Sequence, residues 1–459
     1  MLSHFGLIRP RARRLCALAA ILIGVVPAAA QVATYVDLND DCVVDNGDLG
    51  VLLASWGPCA SPCPADLNGD MEVDGIDQGL LLSAWETQCP PFTVHWNAVG
   101  IQALQVTLDP DLDAVMQRDV VILSEHHYGI FPSAGLHLTF GRNGIYTNWE
   151  TYHQQYLARH VDEVEEFVYT PYPNGPGLTA AYEGRAIIDY ESWRPVWENN
   201  SVAVQEEWET FIAAINSPAW DQEFLAAIAY TPPAGVNNFR QLDEEEEEDF
   251  LKLSWDHFAK EFYLLSLHAG RVALPEARFG FYGFPQRVYW EPPGQVGYPE
   301  AQKGYNDEMI WLWQQVDILV PSIYQPYYSV DPDNTLGSWQ NPSDDNATYI
   351  IENIAEALRL RGSVTHDPDI LAYVAPFYHG NSTTNPNPYF ETAVNDINLD
   401  QQVRMSRYAG ADGIVIWGFV TCLDACGVCA SDANSVGCWE YEMNTRWKPV
   451  ILDVVADCP

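Results

Sequence analysis

From about residue 91 to the C-terminus, short apolar runs alternate with longer stretches of helical periodicity. The runs cover 93–97, 120–124, 185–191, 278–284, 317–324, 370–376 and 413–418. Several are apolar almost throughout, which is the pattern of a strand buried on both faces; a sheet with one wet face would alternate. Between them, 148–167, 243–269, 305–315 and 347–360 carry apolar residues at helical spacing. Seven strand–helix units in succession predict an α/β fold, a TIM-like (β/α) barrel that is seven-stranded and distorted, in preference to a doubly wound sheet. The acid run 244–248 falls at the start of the longest helical stretch, where it favours the helix dipole and faces solvent, and it is assigned no function.

Two shorter patterns come first. Arg9, Arg11, Arg13 and Arg14 precede an apolar stretch, 15–26, and the small residues Ala28, Ala29 and Ala30. This is the form of an export signal over 1–30, cleaved before Gln31, with an apolar stretch too short to span a bilayer comfortably. No later apolar run reaches membrane-helix length. The expectation is a secreted or extracellular protein without a membrane span, held at a cell surface only through a partner. Next comes a repeat: Asp37-Leu38-Asn39-Asp40-Asp41 recurs as Asp66-Leu67-Asn68-Gly69-Asp70. Oxygen-bearing side chains recur at loop places one, three, five, nine and twelve. They are Asp37, Asn39, Asp41, Asp45 and Asp48, then Asp66, Asn68, Asp70, Asp74 and Asp77. A loop of that spacing wraps calcium, which takes about six to eight oxygen ligands. Each loop leads into an apolar helical segment, with Leu49, Leu52, Leu53 and Trp56 in the first and Leu80, Leu81, Leu82 and Trp85 in the second. One copy alone would read as an acidic turn before a helix. Two copies in register predict a small α-helical module over 35–90 holding two structural calcium ions, with the large domain at 91–459. Val44 and Val73, at matching places, are set to pair the two loops.

Charge narrows the partners. The formal net charge is −41, and the export signal takes four arginines and no acid with it. Such a chain repels nucleic acid and other polyanions at long range, although part of its acidity belongs to the calcium loops. The 16 Trp and 24 Tyr are many for this length; filling a core is their commoner use and stacking on sugar rings the other. Once Cys16 leaves with the signal, the cysteines form two clusters. Cys42, Cys59, Cys63 and Cys89 flank the repeats, and Cys422, Cys426, Cys429, Cys438 and Cys458 lie near the C-terminus. In an exported chain these read as disulfides, and their odd number leaves one thiol unpaired or joined to another chain.

Chemistry in such barrels collects at the C-terminal ends of the strands. The third run closes on Asp189-Tyr190-Glu191. Side chains alternate along a strand, so Asp189 and Glu191 point the same way. Two neighbouring carboxyls do not both ionise easily, and one stays protonated, as a glycosidase requires of its general acid. An Asp-x-Glu by itself is a weak signal, because acids at strand ends often cap helices. Four further blocks accompany this one, which reads Ile188-Asp189-Tyr190-Glu191-Ser192-Trp193-Arg194-Pro195. They are Gly280-Phe281-Tyr282-Gly283-Phe284-Pro285, Asn306-Asp307 with Trp311-Leu312-Trp313, Pro321-Ser322-Ile323-Tyr324, and Gly413-Ile414-Val415-Ile416-Trp417-Gly418. In content and order, across about 91–450, they resemble the hyaluronidase family, glycoside hydrolase family 56.

The resemblance implies a retaining endo-β-N-acetylhexosaminidase that cuts hyaluronan or chondroitin-like glycosaminoglycans, with no enzymic nucleophile and no catalytic cofactor. The substrate's own acetamido oxygen attacks its anomeric carbon. By the same resemblance Glu191 is the acid and then the base, Asp189 shares its proton and orients the acetamido group, and Tyr324 hydrogen-bonds that group. Tyr282 and Trp417 shape the sugar subsite, and Arg194 braces the carboxylates or faces the groove. The repeat pair resembles a type I dockerin, which implies a cohesin-type protein partner; it departs from that pattern in its flanking cysteines.

The chain also departs from the hyaluronidase pattern. Gln286 and Arg287 stand where a disulfide cysteine is usual, and no cysteine follows Trp96-Asn97. Ser124, then Ser133 and Ala134, replace groove aromatics, and Phe419 follows Trp417-Gly418. The carboxyl pair is untouched, but the groove is altered. A polyanionic substrate asks for local positive charge, and Arg142, Arg185, Arg194, Arg278 and Arg287 lie near strand ends where they would form a basic strip. Salt screens charges beyond about 8–10 Å, so a local strip outweighs distant acids. Two rival readings stand beside the enzyme: a non-catalytic calcium-dependent glycan-binding or scaffold protein, and a hydrolase of another N-acetylated glycan.

Overall fold

The computed structural model describes residues 38–39, 43–58, 65, 67, 72–83, 85, 92–98, 106–125, 127–129, 149–171, 175–217, 219–285, 300–325, 345–378, 393–418 and 439–456. The export signal, every cysteine and the calcium-ligand candidates Asp37, Asp41, Asp66, Asn68 and Asp70 lie outside the described residues, as do Arg142, Arg287, Ser133, Ala134, Gln286 and Phe419.

Strands β1 (Gly57–Pro58) and β2 (Glu72–Val73) form an antiparallel pair in the N-terminal module. The large domain carries β3 (Thr93–Ala98), β4 (Met116–Gln117), β5 (Val120–Ser124), β6 (Arg185–Asp189), β7 (Arg278–Tyr282), β8 (Ile318–Val320), β9 (Asp369–Val374) and β10 (Gly413–Gly418). They make one sheet of eight in the order β4-β3-β10-β9-β8-β7-β6-β5, and every neighbouring pair is parallel. The chain-adjacent β4 and β5 stand at the two edges, which gives a nearly closed TIM-like barrel. Seven of these strands fall on the seven predicted runs. The eighth corrects the expected count: β4 is two residues long, follows the short helix Pro110–Val115, and leaves no apolar run to detect.

Period-two alternation sorts the strand side chains into two cores. Ile187, Tyr282, Ile318, Val320, Tyr324, Leu371, Tyr373, Ala375 and Val415 fill the barrel interior. Their neighbours, including Ala186, Ile188, Tyr190, Phe279, Phe281, Leu319, Ala372, Ile414 and Ile416, face the helices. The helices Trp149–Tyr169, Glu244–Ala273 and Asp345–Arg361 match predicted helical stretches, while 305–315 resolves into Glu300–Glu308 and Ile310–Trp313. The acid run begins the Glu244–Ala273 helix as expected. Asp243 caps it, accepting from Glu246 N at 2.9 Å while Glu246 Oε2 accepts from Asp243 N at 3.3 Å.

The N-terminal ends of the strands are closed by paired charges. Arg185 meets Asp119, and Arg278 meets Asp369. Buried His95 sets Nδ1 2.8 Å from Asp119 Oδ1 and Nε2 2.9 Å from the Thr93 hydroxyl. Arg361 pairs with Asp412 at 2.8 Å. This is the end of a barrel where order, not chemistry, is kept.

In the N-terminal module Val44, Leu52, Ala65, Val73 and Leu81 form a small core, with Leu38, Leu49, Leu67 and Trp85 packed on it. The two valines meet there as side chains; the backbone pairing of Val73 is with Gly57. The first helix, Asn46–Ala54, starts inside the acidic loop, because Asp45 caps it by accepting from Gly47 N at 2.6 Å. The second, Gly75–Ser83, begins in the same way after Asp74.

Candidate active site

β6 delivers the carboxyl pair. The strand ends at Asp189, earlier than the run to 191 predicted, yet the alternation carries on. Ile187 lies inside the barrel, while Ile188 and Tyr190 lie among the helices. The Tyr190 hydroxyl donates to Tyr128 O at 2.9 Å and lies 3.0 Å from Ser266 Oγ, which anchors the outward side. Asp189 and Glu191 are thereby left on the axis side, at the C-terminal mouth of the barrel.

Asp189 senses the carboxyl of Glu191. Burial, the nearby Glu191 and then Glu125 push Asp189 up to about 7, against the pull of Arg194. Asp189 Oδ1 is buried with no hydrogen-bond partner. Glu191 opens to solvent by surface area, but protein packed about its carboxyl desolvates it. That crowding raises its pKa, with Arg194 opposing and Glu125 assisting. Near neutral pH the pair therefore retains a proton that isolated carboxyls would have lost.

Three aromatic residues roof the barrel interior beside the pair. Tyr282 closes β7, and its hydroxyl lies 3.2 Å from Ser322 Oγ. Its ring stands 6.0 Å from Tyr324 and 5.2 Å from Tyr373, centroid to centroid. Tyr324 stacks on Trp417 at 5.8 Å, and Trp417 meets Phe377 edge-on at 5.7 Å. Asn97, at the end of β3, donates to the Tyr373 hydroxyl at 3.2 Å. Tyr282 and Tyr324 are nearly buried and Trp417 partly so, so these rings both fill the core and floor the site. Glycine at 283, at φ +74, turns the chain after Tyr282, and a Cβ there would stand 4.0 Å from Arg194 Nη1. Arg194 thus lies over the same mouth.

Beyond Glu191 the chain is locked down. Trp193 packs on Trp255 at 4.7 Å, Tyr263 donates its hydroxyl to Trp193 O at 2.7 Å, and Arg194 N donates to Asn200 Oδ1 at 2.8 Å. Trp193, Trp197, Trp208 and Trp255 are all core, the commoner of the two uses expected for the tryptophans.

One residue escaped the sequence reading. Glu125 directly follows β5, and its N–H extends the parallel ladder by donating to Asp189 O at 2.9 Å. Its Oε2 accepts from Glu191 N and Ser192 N, each at 2.8 Å, and its Oε1 accepts from Ser192 Oγ at 2.5 Å. Its sole signal in the sequence is its place, one residue past an apolar run.

The expected basic strip is not formed by Arg185 and Arg278. They are the first residues of β6 and β7, so they sit at the opposite end of the barrel, neutralised by Asp119 and Asp369. Among the described members of that set, Arg194 is the one that lies near the carboxyls.

In the acidic loops the two halves behave alike. Asp48 and Asp77 are buried. Asp48 Oδ1 accepts from Leu38 N and Asn39 N at 2.6 and 3.1 Å, and Oδ2 from Asp45 N at 2.7 Å. Asp77 repeats this with Leu67 N at 2.7 Å and Asp74 N at 2.8 Å. The Asn39 side chain lies against the start of the first helix, where a Cβ on Gly47 would stand 2.2 Å from its Nδ2.

A model of the hyaluronidase family, glycoside hydrolase family 56, matches residues 83–437. Hyaluronidase-1 of Cerastes cerastes is 24% identical over 357 residues, 73% of this chain and 68% of that protein. Hyaluronidase-2 of Bos taurus is 24% identical over 344 residues, 71% of this chain and 60% of that one. The monoclinic crystal structure of bee venom hyaluronidase superposes with a TM-score of 0.53 at 18% identity, covering 78% of this chain and 99% of the other. A second bee venom structure, in complex with a hyaluronic acid tetramer, gives 0.54 at 17% identity over 78% and 98%. The carboxyl pair at the mouth of the barrel, the aromatic roof and the match over most of the chain make this protein a glycoside hydrolase and a member of the hyaluronidase family.

Proposed function

We propose that the chain is an exported endo-β-N-acetylhexosaminidase that hydrolyses hyaluronan or a chondroitin-like glycosaminoglycan with retention of configuration. The observation that carries this reading is Asp189: half-buried, its carboxyl pushed up to about 7, and its buried Oδ1 awaiting a hydrogen-bond donor. The N–H of an acetamido group is such a donor. Glu191 then gives its proton to the glycosidic oxygen as the bond to C1 breaks, and the substrate's acetamido oxygen closes on C1. Asp189 holds the acetamido N–H, and the Tyr324 hydroxyl bonds the same group as charge develops. In the second half, Glu191 takes a proton from the water that attacks C1, and the acetamido oxygen departs. Two inversions give retention, and no bond to the protein forms. Tyr282 and Trp417 shape the sugar subsite, and Arg194 braces the pair or faces the groove.

The names of the relatives, and the hyaluronic acid tetramer held by one solved neighbour, favour hyaluronan as the glycan. The test is reducing-end release from hyaluronan, chondroitin and chitin fragments and from de-N-acetylated hyaluronan, with Glu191→Gln alongside. Cleavage of a uronic-acid polymer that needs both the acetyl group and Glu191 is the expected result. Cleavage of chitin fragments alone would move the substrate to another N-acetylated glycan. Cleavage of de-N-acetylated chains would remove the acetamido mechanism. Binding without any cleavage by folded protein would leave a glycan-binding scaffold protein.

The acidic loops are read as two calcium sites, with Asp37, Asn39, Asp41, Asp45 and Asp48 in one and Asp66, Asn68, Asp70, Asp74 and Asp77 in the other. The candidate ligands of both loops are carboxylate and amide oxygens, the donor type a hard cation takes, and Asp48 and Asp77 are held in place by backbone N–H groups. Calcium there supplies charge neutralisation and loop closure. Leu53 and Leu82, at equivalent places of the two repeats, are 50% and 49% exposed, and both suit burial against a cohesin-type partner. Among the described residues no helix is long and apolar enough to cross a membrane.

A further inference from the structure

The loop that carries Glu191 is held from the side by a carboxylate from the neighbouring strand. β5 and β6 run parallel with Ser124 level with Asp189, so the residue after Ser124 lies beside the chain as it leaves β6. Glu125 fills that place with three acceptor contacts, to Glu191 N, Ser192 N and Ser192 Oγ. Hydrogen bonds to an ionised acceptor are the stronger kind, and two consecutive N–H groups on one oxygen fix the peptide plane between Glu191 and Ser192. Trp193 and Asn200 fix the far side of the same turn. A neutral side chain would meet the same geometric need, so the placing of an acid beside two acids calls for a different explanation.

We propose that Glu125 is a positioning residue for this site: its carboxylate fixes the backbone from which Glu191 projects and sets a third negative charge beside Asp189 and Glu191. The inference rests on the reading of Glu191 as the acid and Asp189 as its partner. Glu125 reaches the reaction only through them.

Among the described residues the charges that act on the pair are Asp189, Glu191 and Glu125, all acidic, and Arg194, which opposes them. Tyr263, from the long helix, senses Arg194, Glu125 and Asp189, and Tyr373, from β9, senses Asp189; burial keeps both phenols neutral. Arg194 favours ionisation of the carboxyl pair and Glu125 disfavours it. Glu125 thereby offsets the arginine and holds the proton on the pair to higher pH.

The test compares Glu125→Gln, Glu125→Ala and wild type. In Glu125→Gln the amide oxygen still accepts the two N–H bonds, but the charge is gone. The alkaline limb of the kcat/KM profile on hyaluronan is expected to move to lower pH by roughly half a unit to one unit, with kcat/KM on the acid side of that limb lowered by no more than a few-fold. Glu125→Ala also loses the bracket, and its kcat should fall about 10- to 100-fold at every pH, with KM little changed. A Glu125→Gln profile that superposes on wild type overturns the proposal. The NMR titration of 13C-labelled Asp and Glu carboxyls in the same proteins needs no substrate. Lower titration midpoints for Asp189 and Glu191 in Glu125→Gln support the role of Glu125 even if hyaluronan is not cut. Unchanged midpoints remove that role whatever the enzyme cleaves.

Discussion

The two ends of the barrel are both rich in charge, and they treat it in opposite ways. At the N-terminal end buried or half-buried acids are paired: Asp119 lies between Arg185 and His95, Asp369 meets Arg278, and Asp412 meets Arg361. At the C-terminal end, among the described residues, Asp189, Glu191 and Glu125 have Arg194 as their nearby arginine, and Asp189 Oδ1 has no hydrogen-bond partner. Pairing at one end lets charge be buried at little net cost, and its absence at the other raises the energy of the ionised state. The described charge at one end of the barrel is paired, and at the other end acids crowd together.

This contrast can be broken at its strongest point first. Glu191→Gln should lower kcat about 10²- to 10⁴-fold while the thermal unfolding curve stays close to wild type, as assays beside calorimetry would show. A comparable loss of folding would mean that the C-terminal end is structural as well. Second, Asp119→Ala at the other end should lower unfolding free energy by about 2–3 kcal/mol, because Arg185 and His95 lose their common partner. Activity per folded molecule should hold, and urea titration with an active-site assay separates the two.

Third, Asp189→Asn should lose activity but gain stability near neutral pH. The folded pKa of Asp189 is raised to about 7, whereas an unfolded Asp titrates near 3.9. Between those values the unfolded chain releases its proton first. Wild type therefore loses stability as pH rises from about 4 to about 7, and the loss is then constant. The variant should melt a few degrees above wild type at pH 8, with the difference gone below about pH 4. Equal melting at both pH values would show that Asp189 is not strained. Smallest of all, Asp113→Asn weakens an exposed pair with Arg118 and should change stability by less than about 0.5 kcal/mol.

Legibility in the sequence followed the range of the interactions. The seven long strands and the carboxyl pair were visible because burial on both faces leaves a local run and alternation is a local rule. The same rule placed Ile187 inside, Ile188 and Tyr190 outside, and left Asp189 and Glu191 on the axis, even though the regular strand stops at Asp189. The acidic loops were visible as a repeat for a similar reason, and their described parts fold alike, with Asp48 and Asp77 buried in matching hydrogen bonds.

What the sequence by itself determined, then, is the barrel, its period and the family chemistry carried by contiguous blocks. Three things were left to the tertiary structure. Two residues of β4 carry too little pattern to register, and only their pairing with β3 makes them a strand. Arg185 and Arg278 are near strand ends in the sequence, but which end faces the site depends on the direction of the whole sheet. Glu125 meets Glu191 across 66 positions of chain because β5 and β6 are parallel and in register. Local sequence sets which way a side chain points, while the register between strands sets what it meets when it gets there.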